Sequence, residues 1–211
     1  MARDLYRAIH KAMRADLFEV SALIASTDFG EAGELSGLRE RFGGLAGAMQ
    51  HHAEVEDSRI HPLARAVAPD VVAAIETEHV SLEAELSALG DELSAIEAGD
   101  GSWEPAHRLY LRFNRFLAGY LLHIDREERE LVPAMSALDG SVLDAVAHED
   151  YEGPVAGLVA AVGAMLPLFN ADDRRQIVED IRAVRSDEEF ALVAEAGAAA
   201  LGPAGWARLM A

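Results

Sequence analysis

Two stretches of this chain carry the same arrangement of donor side chains. The first runs His52-Ala53-Glu54-Val55-Glu56-Asp57-Ser58-Arg59-Ile60-His61-Pro62, the second His123-Ile124-Asp125-Arg126-Glu127-Glu128-Arg129-Glu130-Leu131-Val132-Pro133. In both, a Glu follows the His at +4, with a second acid at +5, an aliphatic residue at +8 and Pro at +10. Four residues along a helix is a rotation of about 40° and a rise of about 6 Å. Each His and its Glu therefore share one helix face, one turn apart, and such a pair can grip one metal ion or two adjacent ones. The duplication is a stronger signal than either copy alone.

Two further histidines fall in phase with apolar stripes. His10 lies among Tyr6, Ile9 and Met13, and His79 lies between Ile75 and Leu82 with Glu83 at +4. The candidate ligand set is His10, His52, Glu56, His79, Glu83, His123 and Glu127. Inward carboxylates without partners cost several kcal/mol each, and no inward Lys or Arg cluster matches them, so a pair of metal ions is the natural compensation. Imidazole with carboxylate suits iron, manganese or zinc. Seven donors exceed the needs of one tetrahedral zinc and fit two six-coordinate ions with bridging carboxylates and an oxo or hydroxo bridge. That combination points to two non-haem irons, with zinc or manganese as alternatives.

Four helices must position these groups. The spacing predicts an amphipathic helix from about Asp4 to Ser26, a second from about Glu31 to Ala66, a third from Pro69 to about Glu97, and a fourth from Pro105 to about Leu138. Pro62 marks a bend or a change to a looser turn near the end of the second. Asp28-Phe29-Gly30 and Gly99-Asp100-Gly101-Ser102 are breaks. The expected class is all-α, an up-down-up-down four-helix bundle over residues 1–138, with residues 139–211 as additional C-terminal helices packed on it.

Composition narrows the function. The 211 residues are 51% hydrophobic, contain no Cys and carry a net charge of −19. The missing Cys excludes disulfides, thiolate metal sites and Fe–S clusters. So acidic a chain is repelled by nucleic acid and by anionic membrane surfaces. The uncharged run from Gly153 to Ala171 contains Pro154, Pro167, Gly157 and Gly163, is diluted by Ala and Gly and is flanked by acids, which reads as a buried helix and not a membrane span. The opening residues meet charges at once, with no signal-peptide core, and the expected location is cytoplasmic.

The series His10, His52 with Glu56, His79, and His123 with Glu127 resembles the hemerythrin-like (HHE cation-binding) family, including the Pro at +10 of each pair. The resemblance covers about Asp4 to Leu138. It implies a four-helix bundle around a non-haem di-iron centre that meets oxygen, peroxide or nitric oxide. Two features depart from the oxygen carriers of that family. They have a second His one turn after the third-helix His, where this chain has Glu83, and their last carboxylate is an Asp five residues after its His. The implied role is thus a redox or oxygen response, with peroxidase- or catalase-like or nitric oxide-consuming activity in view, and not reversible oxygen storage. The other classes are an iron- or oxygen-sensing module signalling through the C-terminal helices and a redox-silent zinc-binding bundle. His51, His61 and His107 are expected away from the site, His61 because nine residues from His52 is about 180° round the helix. Tyr6 and Tyr120 are pocket or core residues, and Glu54, Asp57, Glu128 and Glu130 a solvated face.

Overall fold

The computed structural model describes residues 4–97, 103–149 and 151–210; the expected break at Gly99–Ser102 lies outside them. Among the described residues the chain is all-helical, with no strand. The contacts divide it into two compact units, residues 13–137 and residues 1–12 with 138–211.

The first unit is built on four long helices: the part of α1 (Arg7–Ser26) from Met13 onward, α2 (Ala32–Val55), α4 (Pro69–Ala95) and α5 (Glu104–Arg126). Each buries one stripe at helical spacing: Met13, Leu17, Val20 and Ile24 on α1; Leu38, Phe42, Leu45 and Met49 on α2; Val72, Ile75, Leu86, Leu89 and Leu93 on α4; Leu109, Phe113, Phe116 and Tyr120 on α5. Polar ties run round the bundle. Arg41 of α2 pairs with Asp16 of α1 at 2.7 Å, Ser21 of α1 bonds Asn114 of α5 at 2.9 Å, and Arg108 of α5 bonds Glu92 of α4 at 2.8 Å. On α2 and α4, Arg39 donates to the backbone oxygen of Ile96, just past the end of α4.

The two expected long helices do not run straight through. Each passes into a five-residue π-helical turn, Glu56–Ile60 and Glu127–Leu131, and then into a short helix, α3 (His61–Ala64) or α6 (Val132–Met135). The repeated proline accounts for both turns. Pro62 and Pro133 have no N–H to give the carbonyl four residues back, and their rings collide with it in a regular helix. Widening by one residue relieves the collision: the N–H of His61 reaches the carbonyl of Glu56, and that of Val132 the carbonyl of Glu127, both five residues back.

The second unit comprises α7 (Gly140–Glu149), α8 (Val155–Met165) with a 3₁₀ turn at Leu166–Leu168, α9 (Ala171–Val184), α10 (Asp187–Leu201) and α11 (Pro203–Leu209), with the opening turns of α1. Its core is Val162, Leu166, Ile181 and Val193, packed by Phe190, Leu201 and Trp206. Asn170 caps α9, and Ser186 with Glu189 forms a capping box on α10. Gly197 is required where it stands, because a Cβ there would lie 2.3 Å from the Trp206 ring. Buried Asp173 takes Arg7 at 2.8 Å and also pairs with Lys11. The apolar run after Gly153 gives an α8 with both buried and exposed residues, and no helix among the described residues is long and apolar enough to cross a membrane.

Candidate metal centre

At the end of the 13–137 unit where the π turns lie, α2, α4 and α5 converge their donors. Glu56, His79, His123 and Glu127 each place a ligand atom within 4.8 Å of all the others. Glu56 and Glu127 are fully buried, the first residues of their π turns. His52 Nε2 lies 3.4 Å from Glu56, and His123 Nε2 lies 3.2 Å from Glu127. These are the two repeated pairs, each closed across one helical turn. His79 faces both carboxylates through one nitrogen, with Nε2 at 3.1 Å from Glu56 and 3.7 Å from Glu127.

Two buried carboxylates converging on one imidazole nitrogen demand positive charge. In the metal-free chain burial pushes His79 down, but hydrogen bonds to Glu127 and Glu56 and the charges of Glu56 and Asp57 outweigh it, raising its pKa to about 10. A proton held there does the work that a cation would do better. His123, shielded less by carboxylates, is pushed down by burial. The donor set, imidazole and carboxylate with no thiolate, fits a hard or borderline divalent ion.

The other imidazole nitrogens are held from outside. His79 Nδ1 lies 3.1 Å from Asp57, and His123 Nδ1 lies 3.0 Å from Glu78. Asp57 also lies 2.9 Å from His61 Nδ1, and Glu78 lies 3.3 Å from Arg126. His61 is fully buried, with its ring stacked on that of His79 at 5.5 Å. Burial pushes its pKa down.

His61 and Asp57 correct the sequence reading, which set both aside. The π turn adds a residue, so His61 is shifted by about 100° from the position that an unbroken helix gives it and turns inward. The Pro at +10, present in both copies, was the available signal. Glu83 is placed differently from the other expected ligands. It is exposed on α4 and is not brought to the cluster. The buried face of α4 leans toward Leu86, about 20° to one side of His79, whereas Glu83 lies about 40° to the other.

That side of α4 opens on a 790 Å³ cavity between α2 and α4, lined by Phe42, Met49, Leu86 and Phe116 and reaching His79, Tyr120 and Glu83. Tyr120 is buried with its ring 5.6 Å from that of His123. Burial, then the charges of Glu56 and Glu127, hold its phenol well above the ordinary range, so it stays protonated. His10 is fully buried on α1, with the Tyr6 ring 5.1 Å away. His51 and His107 are exposed, and His148 lies 3.9 Å from Asp180 in the other unit.

A helical bundle with buried His and Glu converging from several helices is a cation-binding bundle. The hemerythrin HHE cation-binding domain model matches residues 1–135, and the chain belongs to that family. No curated protein and no solved structure matches the chain.

Proposed function

We propose that this chain is a di-iron protein that reacts with oxygen, peroxide or nitric oxide and does not store oxygen reversibly. The observation that carries this reading is the fully buried pair Glu56 and Glu127 facing the Nε2 atoms of His79 and His123. His52 adds a third imidazole beside Glu56, and His10 a fourth by its place in the sequence pattern. Two carboxylates and four imidazoles serve two six-coordinate ions only in part, leaving positions for an incoming ligand. Glu83 does not take one of those positions. The second third-helix imidazole of the oxygen carriers thus has no counterpart, and that is the ground for setting storage aside.

Iron bound there supplies one-electron chemistry toward small oxidants. The chain's own part is positioning and proton control. Asp57 and Glu78 hold the Nδ1 atoms of His79 and His123, which leaves each Nε2 for the interior. The His79 proton must leave as a cation enters. The protonated Tyr120 offers a hydroxyl donor beside the cluster. The cavity between α2 and α4 has mixed walls, apolar at Phe42, Met49, Leu86 and Phe116 and charged at Arg39, Glu83 and Asp91, and gives a small molecule room beside His79 and Tyr120.

Anaerobic titration with ferrous iron should saturate near two equivalents, followed on oxidation by a near-ultraviolet charge-transfer band that zinc does not give. Saturation at one equivalent would rule out the paired site. Preferential retention of zinc with no redox response would favour a structural bundle.

A further inference from the structure

The two imidazoles that face Glu56 and Glu127 from α4 and α5 are backed in different ways. His79 Nδ1 meets Asp57, whose other partner is the buried imidazole of His61 at 2.9 Å. His123 Nδ1 meets Glu78, whose other partner is the guanidinium of Arg126 at 3.3 Å. An arginine is always charged and draws on the carboxylate it holds, so Glu78 divides its negative charge between a cation and a ring. Asp57 makes its hydrogen bond to His79, and its other near neighbour is not a guanidinium but the His61 ring, in contact without hydrogen-bond geometry. The histidine it holds is therefore the more strongly polarised donor.

We infer that Asp57, with the His61 ring packed beside it and stacked on His79, is the dominant positioning residue of the Glu56–His79–His123–Glu127 cation pocket, and that Glu78 is the lesser one. The inference rests on the metal-binding reading above. The geometry supports it independently of the sequence repeat. His61 stacks on the His79 ring with an interplanar angle of 17°, so packing as well as the contact to Asp57 fixes the ring's orientation. Both devices depend on one feature of the backbone. The π turn that begins at Glu56 carries Asp57 and delivers His61 at its end. A single five-residue turn thus supplies an interior carboxylate, the outer carboxylate of a neighbouring helix's histidine, and the ring that pins that histidine.

Asp57 is half-exposed, with 46% of its side chain accessible, and replacing it leaves the apolar stripes untouched. The test is an anaerobic titration of the full chain with cobalt(II) against a competing chelator, following the visible ligand-field bands. Asp57→Asn keeps the shape and removes the charge. It should weaken one of two binding steps by about 10–100-fold and alter the bands of that step. Glu78→Gln should weaken the same step by less, and Asp57→Glu should recover part of the loss. His61→Phe, which keeps a stacked ring but no nitrogen, should fall between wild type and Asp57→Asn. Melting of the metal-free variants separates positioning from folding: Asp57→Asn should melt close to wild type. Wild type taking up two ions while Asp57→Asn binds both within twofold of it would overturn the inference and leave the metal reading standing. A loss in Glu78→Gln equal to or larger than that in Asp57→Asn would overturn the ranking. No uptake by wild type would overturn both.

Discussion

The two copies of the repeated segment share a backbone and part company in their side chains. In each, a His and a Glu close across one turn, a π turn begins at the Glu, and a proline follows at the same place. The residue that follows the turn is the fully buried His61 in the first copy and the half-buried Val132 in the second. The acid after the Glu also differs in its use. Asp57 turns to His61 and His79, whereas Glu128 takes Arg14 of α1 in a two-pronged pair at 2.7 and 3.1 Å. The π turn is thus a shared solution to the proline, and the side chains around it are free to diverge. One copy spends its outer acid on the cluster, the other on tying a neighbouring helix.

The part in which the copies are alike should give the largest and most equal effects. Glu56→Gln and Glu127→Gln each remove a fully buried anion facing His79. Each should reduce metal affinity by more than about 100-fold, beyond the range of outer partners. Titration with ferrous iron under anaerobic conditions checks this. One variant binding as wild type would show that the two carboxylates are not equivalent walls of one pocket.

Metal removal is the next effect in size and has a sign in pH. The folded pKa of His79 is raised to about 10, so its contribution is fully present below its unfolded value near 6.5 and is lost as pH rises through about 10. His61 and His123 are pushed down by burial, so theirs is present above that value and is lost as pH falls below it. The metal-free protein should therefore be most stable near pH 6.5 and lose stability toward pH 9 to about 10. The loaded protein should not show that alkaline loss, because an ion replaces the proton at His79. Thermal melts with and without chelator test it, and equal metal-free midpoints near pH 6.5 and near pH 9 would contradict it.

These results separate what periodicity can reveal from what it cannot. The helical class and the family were legible in the repeated His and Glu and in the four apolar stripes, because a regular helix converts spacing directly into direction. His79 lay on such a stripe, and it is buried. The placement of Glu83 was not legible, because a residue 40° off the stripe goes inward or outward according to which neighbour is close, and the α2–α4 seam is open there. His61 was misjudged because direction was counted through a turn that is not α-helical. Glu78 gave no signal of its own: it sits beside His79 in sequence, and only the tertiary placement of α5 brings His123 to it.

Straightening one π turn at a time sharpens the comparison between copies. Pro62→Ala and Pro133→Ala restore a backbone donor and remove the ring that forces the wider turn. In the first copy the change should rotate His61 and Asp57 away from His79 and weaken metal binding by about tenfold, the lower end of the outer-partner range. In the second copy Val132 has no polar partner to lose, so the change in affinity should be smaller. Crystal structures or amide exchange across residues 56–62 and 127–133 would report the turns. A larger loss in Pro133→Ala than in Pro62→Ala would overturn the assignment of the outer acids.

The smallest effect belongs to the side chain that the second copy uses for tethering. Arg14 and Glu128 are joined by two contacts, but both side chains remain about one-third exposed, at 30% and 34%. Solvent screens such a pair, and measured exposed pairs contribute about 0.2–1 kcal/mol, with two-pronged geometry favouring the upper half of that range. Glu128→Ala should accordingly lower the melting temperature by a few degrees at most, with the loss shrinking in high salt. It should leave metal affinity unchanged within about twofold, in contrast to Asp57→Asn at the equivalent position, for which about 10–100-fold is expected. The two variants alter the equivalent acid in the two copies of the turn, so comparing them reports what the divergence of side chains contributes. A matching loss of affinity in Glu128→Ala would mean that Arg14 and the first helix control the cluster through this pair, and that the two outer acids have kept one common role.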